Sequence, residues 1–230
     1  MMLVGQCTVP PLTSKCLLGD NLLSSHQGIL IAVEGLDCAG KTSVLIPKIR
    51  SLFAEDRNVV VFHALKSTPW NDELYPVHVN HSSKASPTVQ NFYIASMFRD
   101  NWEKNVKPAL EAGYVVIMDR WISTTAVYQK GSVFLNELTE MATDGRKADY
   151  IVFGDLDHQT AMERAGARGS AADPMDFISK EKFDERRSDY LQRIGKDVIR
   201  GSCIIDCTKP KDFVERYIEL FVEQVKEEME

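Results

Sequence analysis

A glycine-rich segment carries the clearest chemical pattern in this sequence. Residues 35–42 read GLDCAGKT and fit GxxxxGK[ST], just after an apolar run that ends at Val33. Glycines let a backbone wrap so closely that its N–H groups converge on an anion, and a helix starting there adds its positive end. The lysine of this pattern reaches the β- and γ-phosphates of a nucleotide, and its threonine binds Mg²⁺. The segment therefore predicts a nucleoside-triphosphate site made by Gly35, Leu36, Asp37, Cys38, Ala39, Gly40, Lys41, Thr42 and Ser43.

A carboxylate and an arginine follow a later apolar run, in the segment YVVIMDRW at residues 114–121. Asp119 ends the apolar run, at the position where a carboxylate in such a site holds a metal–phosphate complex. Arg120 beside it offers a forked cation, which suits a second phosphate. Thr42 and Asp119 are therefore the predicted Mg²⁺ residues, and Arg120 indicates that another phosphorylated molecule binds here.

Two further arginines, Arg164 and Arg168, stand four residues apart around Gly166 and before Gly169. On its own this pattern is typical of a solvated basic helix end. Beside a phosphate-binding segment it predicts a lid, over about residues 164–182, that brings guanidinium groups over a phosphoryl group in transfer.

Short apolar runs alternate with helical patterns along the chain. Because these runs are rich in Val and Ile and nearly continuous, they indicate strands buried on both faces of a parallel sheet. The predicted strands cover residues 29–33, 58–64, 114–118, 150–153 and 202–205. This pattern predicts an α/β fold of three layers, with a five-stranded parallel sheet and helices on both faces. With the GxxxxGK[ST] motif directly after the first strand, it indicates the P-loop NTPase fold.

Three prolines fall within or beside the predicted helices. Pro47 lies inside a helix expected over 41–56 and should bend it, because proline lacks a backbone N–H. Pro87 follows the capping residue Ser86 and opens the next helix. A break is expected near Pro108, before a stop at Gly113.

Composition restricts the kinds of partner. A net charge of −6 argues against an extended nucleic-acid surface, and no apolar stretch reaches the roughly 20 residues that span a bilayer. Five cysteines without a CxxC pair favour reduced thiols in the cytoplasm. Residues 1–27 contain two adjacent prolines and no clear period, so we expect a loosely ordered extension before a single domain at 28–230.

These motifs together resemble the thymidylate kinases, within the P-loop nucleoside monophosphate kinases. The resemblance covers roughly residues 28–228. It depends on the P-loop, on Arg99 twenty residues before Asp119, on DRW followed by Tyr128-Gln129, and on DLD at 155–157. Arg164, Arg168, Phe183, Tyr190 and the segment IIDCTKP at 204–210 extend it.

The resemblance implies a role for each matching residue. Residues 35–43 would hold ATP, with Thr42 on Mg²⁺ and Asp119 between the two nucleotides. Arg164 and Arg168 match the lid arginines of the bacterial-type members, in agreement with Cys38 standing where the other branch has arginine. The catalytic set is then Lys41, Asp119, Arg120, Arg164 and Arg168, and the substrate-binding set is Asp37, Lys66, Arg99, Arg120, Thr124, Tyr128 and Gln129.

The sequence departs from the family at three places. Lys66 and Pro69 replace an Arg-x-Pro with shifted spacing, and DPMD replaces a usual lid element. Ala95 stands where the family has an aromatic ring against thymine, so Phe92, Tyr93 or Phe98 would have to move in, or the pocket would be wider. Residues 70–86 do not match well.

The resemblance implies ATP- and Mg²⁺-dependent phosphorylation of a pyrimidine deoxynucleoside monophosphate, foremost dTMP to dTDP, by an enzyme whose family leads us to expect a homodimer. Three alternatives stay open: a kinase for another or modified nucleoside monophosphate, a degenerate kinase that only binds nucleotides, and a P-loop regulatory protein. A GTPase is disfavoured because the sequence has no N/TKxD motif.

Overall fold

A computed structural model describes residues 28–81, 84–129, 133–169 and 177–230. The expected extension, residues 1–27, and the middle of the expected lid lie outside the described residues. In the described part, five strands form one parallel sheet in the order β2-β3-β1-β4-β5. The prediction of a five-stranded parallel sheet is thereby confirmed. The strands are β1 (Ile29–Gly35), β2 (Val59–His63), β3 (Val115–Asp119), β4 (Ala148–Asp155) and β5 (Val198–Asp206).

Helices connect the strands and cover both faces of the sheet. They are α1 (Ile46–Phe53), α2 (Pro69–His81), α3 (Pro87–Asn101), α4 (Lys107–Glu111), α5 (Ile122–Tyr128), α6 (Val133–Ala142), α7 (His158–Arg168), α8 (Lys180–Ile194) and α9 (Lys211–Met229). The cap predicted for α3 is present, since the Ser86 hydroxyl accepts a hydrogen bond from the N–H of Val89 at 3.4 Å.

The core is divided into two layers by the sheet. Alternate residues of β1 enter different layers, because successive side chains of a strand point to opposite faces. Ile31 and Val33 pack in the layer that α1 and α9 cover, whereas Leu30 and Ala32 pack in the layer that includes Met97 and Phe98 of α3. Burial on both faces explains why the strands read as continuous apolar runs.

The prolines Pro47 and Pro108 are accommodated by widened helical turns. A π-helical turn at Lys41–Leu45 precedes Pro47, and another at Trp102–Val106 precedes Pro108. Each proline then lies in the first turn of the following helix, where its missing N–H breaks no hydrogen bond. The break expected at Pro108 is therefore wrong: the chain stays helical to Glu111 and leaves at Gly113, whose φ is 79°.

The register of the sheet brings three chain segments to one edge. Asp119, the last residue of β3, pairs with Val33 of β1 on one side and with His63 of β2 on the other. The loops that follow β1, β2 and β3 therefore start side by side at the carboxyl ends of the strands, which is where ligands bind in parallel α/β sheets.

Candidate active site

The loop between β1 and α1 has the close backbone packing that its glycines imply. A Cβ atom on Gly35, whose φ is 143°, would lie 2.6 Å from the carbonyl oxygen of Gly154. Gly40 also has a positive φ, 81°. The Lys41 ammonium lies inside this loop and donates to the carbonyls of Gly35 and Leu36 at 3.0 and 2.8 Å. Burial, followed by the nearby Arg120, lowers the pKa of Lys41 to about 8.

The two residues predicted to hold a metal are in contact. The Thr42 hydroxyl donates to Oδ2 of Asp119 at 2.9 Å. Hydroxyl and carboxylate oxygens are donors that Mg²⁺ accepts, and Mg²⁺ on nucleotides takes most of its other ligands from phosphate and water. Over the ranges the structure describes, no group of three or more His, Cys, Asp or Glu side chains could hold a metal by itself. The donor set therefore fits a metal that arrives with a nucleotide.

Arg120 is tied to the phosphate loop through Asp37. Its backbone has a φ of 70°, and its N–H donates to the carbonyl of Val33 at 3.0 Å. The guanidinium pairs with the Asp37 carboxylate and also donates to the carbonyl of Gly35 at 3.3 Å. The Tyr128 hydroxyl donates to the other Asp37 oxygen at 2.7 Å. Burial opposes ionisation of Asp37, but Arg120 and Lys41 outweigh it and hold the pKa of Asp37 below its ordinary value.

A cavity of about 300 Å³ opens beside this ion pair. We call it the Arg120 cavity. It brings together five of the predicted substrate-binding residues, namely Asp37, Arg120, Thr124, Tyr128 and Gln129. The other lining residues are His63, Ala64, Leu65, Tyr75, His78, Val79, Ile94, Trp121, Thr125 and Arg186.

Two predicted residues lie outside the lining of this cavity. The Arg99 guanidinium donates to Glu103 and to Asp144, each at 2.7 Å, and its side chain is 41% exposed. The structure therefore places Arg99 outside the lining of the cavity, and its role toward the pyrimidine stays a prediction. The Lys66 ammonium lies 4.0 Å from the centroid of the Tyr75 ring, so Lys66 contacts a lining residue without lining the cavity itself.

Glu34 was not among the residues predicted from the sequence. Its side chain is fully buried at the end of β1 and accepts hydrogen bonds from the backbone N–H of Trp121 at 2.9 Å and from the Thr124 hydroxyl at 2.5 Å. Burial raises the pKa of Glu34 to about 7, despite these hydrogen bonds. The available signal was an acidic residue inside an otherwise apolar strand. Glu34 fixes the start of α5, which carries Thr124 and Tyr128.

The first of the two predicted lid arginines reaches the phosphate loop. Arg164 donates to the carbonyl of Cys38 at 3.1 Å and to the carbonyl of Cys207 at 2.6 Å. It thereby joins α7 to the loop after β1 and to the loop after β5. Arg168 is exposed at the end of α7, one turn further on.

The aromatic side chains suggested to replace the ring missing at Ala95 do not line the cavity. Phe92 is 53% exposed, Phe98 packs edge-on against Trp121 at 5.5 Å, and the Tyr93 hydroxyl donates to the carbonyl of Leu74 at 3.1 Å. Rings from α2 line it instead.

The α2 rings belong to a row of aromatic contacts. Tyr75 lies edge-on to His63 at 5.9 Å between ring centroids, and His78 stacks on Tyr93 at 6.4 Å. Burial lowers the pKa of His63 to about 4, so its imidazole is neutral at pH 7. Tyr75 and His78 belong to the segment that matched the family poorly, so sequence comparison gave no signal for them.

Comparison with known proteins agrees with this geometry. The family model for thymidylate kinases matches residues 33–218. The chain belongs to the thymidylate kinase family. The resemblance drawn from the motifs and the P-loop NTPase fold are confirmed.

Relatives in the thymidylate kinase family cover most of the chain. The thymidylate kinase of Enterococcus faecalis is 29% identical over 212 residues, which are 85% of this chain and all of that protein. Those of Hahella chejuensis and Mycoplasmoides gallisepticum are 28% and 24% identical, over 74% and 85% of this chain and 85% and 96% of their own lengths. A search of the described helices finds none with the length and apolar character needed to cross a membrane.

Proposed function

We propose that this protein transfers the γ-phosphoryl group of ATP to dTMP. An oxygen of the dTMP phosphate forms the new P–O bond as the bond between the γ-phosphorus and the β–γ bridging oxygen breaks, giving dTDP and ADP. The observation that carries the proposal is the position of Asp37. It belongs to the phosphate loop, lines the Arg120 cavity and pairs with Arg120. The two substrates would therefore meet on either side of one carboxylate.

On the ATP side, residues 35–43 would wrap the phosphates, and Lys41 would exchange its two carbonyl partners for phosphate oxygens. Thr42 and Asp119 would hold Mg²⁺, whose charge neutralises the β- and γ-phosphates when it is bound. Phosphoryl transfer needs little covalent help, so positioning and charge neutralisation would supply most of the rate acceleration.

On the acceptor side, Arg120 would bind the monophosphate, and Asp37 and Tyr128 would contact the sugar. Thr124 and Gln129 would line the sugar and base positions. Arg164 and Arg168, within the proposed lid at about 164–182, would bring positive charge over the transferred group, because Cys38 in the phosphate loop has none to offer.

The base would lie against α2. Tyr75 and His78 are the rings of α2 that line the Arg120 cavity, and stacking on an aromatic ring stabilises a bound base by about 1–3 kcal/mol. We propose that they replace the ring missing at Ala95. Lys66 would support this wall through its contact with the Tyr75 ring.

The proposal also covers the extent of the domain, the oligomeric state and the cellular location. We propose that residues 28–230 form the catalytic domain, that the enzyme is a homodimer and that it works in the cytoplasm without nucleic-acid partners. Cys207 is a buried free thiol, and the sequence has no CxxC pair, which suits a reducing compartment.

A coupled assay of ADP release tests the function directly. We expect turnover with ATP, Mg²⁺ and dTMP, weaker turnover with at least one other pyrimidine deoxynucleoside monophosphate, and much less with dAMP or dGMP. Equal turnover of a purine monophosphate would contradict the pyrimidine assignment. No turnover with any monophosphate, in a protein that still binds ATP, would favour a degenerate kinase.

A further inference from the structure

Arg186 is a buried cation in the lining of the Arg120 cavity. It lies on α8 and is 6% exposed. Its guanidinium carbon is 4.2 Å from the centroid of the Tyr128 ring, so the two groups stack. Its Nη1 atom is buried and has no hydrogen-bond partner, and no carboxylate of the described ranges forms an ion pair with it.

The other arginines near this site have their charge balanced. Arg120 is paired with Asp37, and Arg187, the next residue along α8, donates to both oxygens of Asp155 at 2.6 Å. A buried charge without a partner is strongly unfavourable, and so is a buried N–H donor left unpaired. Stacking on Tyr128 satisfies neither requirement in full. Arg186 therefore has both a charge and a donor available to a ligand.

The chemistry of the missing partner follows from the lining. The two histidines of the lining, His63 and His78, carry no negative charge that could balance Arg186. The Asp37 carboxylate is already shared by Arg120 and Tyr128. A neutral base or sugar oxygen would satisfy the N–H donor but leave the charge uncompensated. An anionic oxygen satisfies both. In a pyrimidine nucleotide at neutral pH, only the phosphate is anionic.

We propose that Arg186 binds the phosphate of the acceptor nucleoside monophosphate, together with Arg120. This inference rests on the proposed function. The two guanidinium groups lie 4.2 and 5.5 Å from the Tyr128 ring centroid, and Arg186 is the one with an unpaired donor. Arg186 is thus a substrate-binding residue that the motifs did not include.

Calorimetric binding of dTMP and of thymidine to the full chain tests the assignment. Thymidine has the same base and sugar but no phosphate. We expect Arg186→Met to weaken dTMP binding by about 10- to 100-fold, the range for a hydrogen bond to a charged group, and to change thymidine binding by less than about threefold. Arg186→Lys keeps the charge without the fork and should give an intermediate loss.

The matched control is Lys196→Met. Lys196 lies just after the end of α8 and is exposed, so this variant removes one positive charge without touching the cavity. Its dTMP affinity should equal that of the wild type. Thermal unfolding of each variant checks the fold, and Arg186→Lys supplies the same comparison if Arg186→Met does not fold.

Two results would overturn the inference. Equal losses for dTMP and thymidine would assign Arg186 to the base or sugar, and unchanged dTMP affinity would give it a structural role only. Wild-type turnover of dTMP, measured in parallel, separates the two proposals. Intact turnover with an unaffected Arg186→Met variant contradicts the role of Arg186 alone, whereas absence of both turnover and dTMP binding contradicts the proposed function as well.

Discussion

The phosphate loop and the Arg120 cavity are built in different ways. The loop is a run of nine consecutive residues, 35–43, whose binding groups are largely backbone N–H groups. The cavity draws side chains from the end of β2, from the residues that follow β3, and from α2, α3, α5 and α8. A site made by the backbone of consecutive residues can be recognised from a short sequence pattern. A site assembled from distant side chains can change its members while keeping its shape.

Substitution of Lys41 should have the largest effect, because the lysine of this motif reaches the β- and γ-phosphates directly. We expect Lys41→Ala to lower kcat by about 10³-fold, comparable to or greater than the loss of one preorganised electrostatic donor. Steady-state kinetics at saturating ATP measures this. Unfolding with denaturant should show an intact cooperative transition, and a wild-type rate would contradict the P-loop assignment.

Substitution of Arg164 tests whether the lid belongs functionally to the ATP side. We expect Arg164→Ala to lower kcat by about 10²- to 10³-fold, since arginines of this kind stabilise transition-state charge. Arg164→Lys should recover only part of the rate, because the fork that spans two carbonyls is lost. Single-turnover kinetics isolates the chemical step. If neither the Arg164 nor the Arg168 alanine variant lost more than about tenfold, the lid role would be wrong.

Substitution of Tyr75 tests whether α2 has replaced the usual base contact. We expect Tyr75→Ala to raise the KM for dTMP by about 5- to 100-fold, in line with stacking on one ring, with little change in the KM for ATP. Phe92→Ala is the matched control, because Phe92 is exposed and lies outside the cavity lining. Equal KM values for dTMP in the two variants would remove Tyr75 from the base site.

The smallest effect is expected for substitution of Glu34, which is buried near the end of β1, between the phosphate loop and α5. The folded protein keeps the Glu34 proton up to about pH 7, whereas the unfolded chain releases it near pH 4.5. The contribution of Glu34 to the free energy of unfolding should therefore fall as pH rises between these values, by on the order of 1–3 kcal/mol. Denaturant unfolding of wild type and Glu34→Gln across pH 4–8 gives the difference. Parallel profiles would contradict the raised pKa.

Much of the fold and the ATP side could be predicted from local patterns. Buried parallel strands appear in the sequence as continuous apolar runs, and residues 35–42 form a motif of consecutive positions. Arg99 shows what such reasoning leaves open. Phe98, one residue earlier, points into the core, and each residue of a helix turns by about 100°, so Arg99 faces Asp144 instead of the cavity.

Tyr75 and Arg186 were missed for a related reason. Each lies on a helix whose sequence looks like an ordinary mixture of polar and apolar residues, and neither belongs to a consecutive motif. Their significance comes from the packing of α2 and α8 around one cavity. The spacing of these residues along the chain does not reveal that arrangement, which can be seen only in the fold.

The position of the Lys41 ammonium has a consequence for the thermodynamics of ATP binding. With a pKa of about 8, Lys41 is only partly protonated at pH 8 in the state described here. Phosphate oxygens in place of the Gly35 and Leu36 carbonyls would favour the protonated form. Nucleotide binding at pH 8 should then draw protons from the buffer, so the calorimetric enthalpy of binding should vary with the ionisation enthalpy of the buffer used.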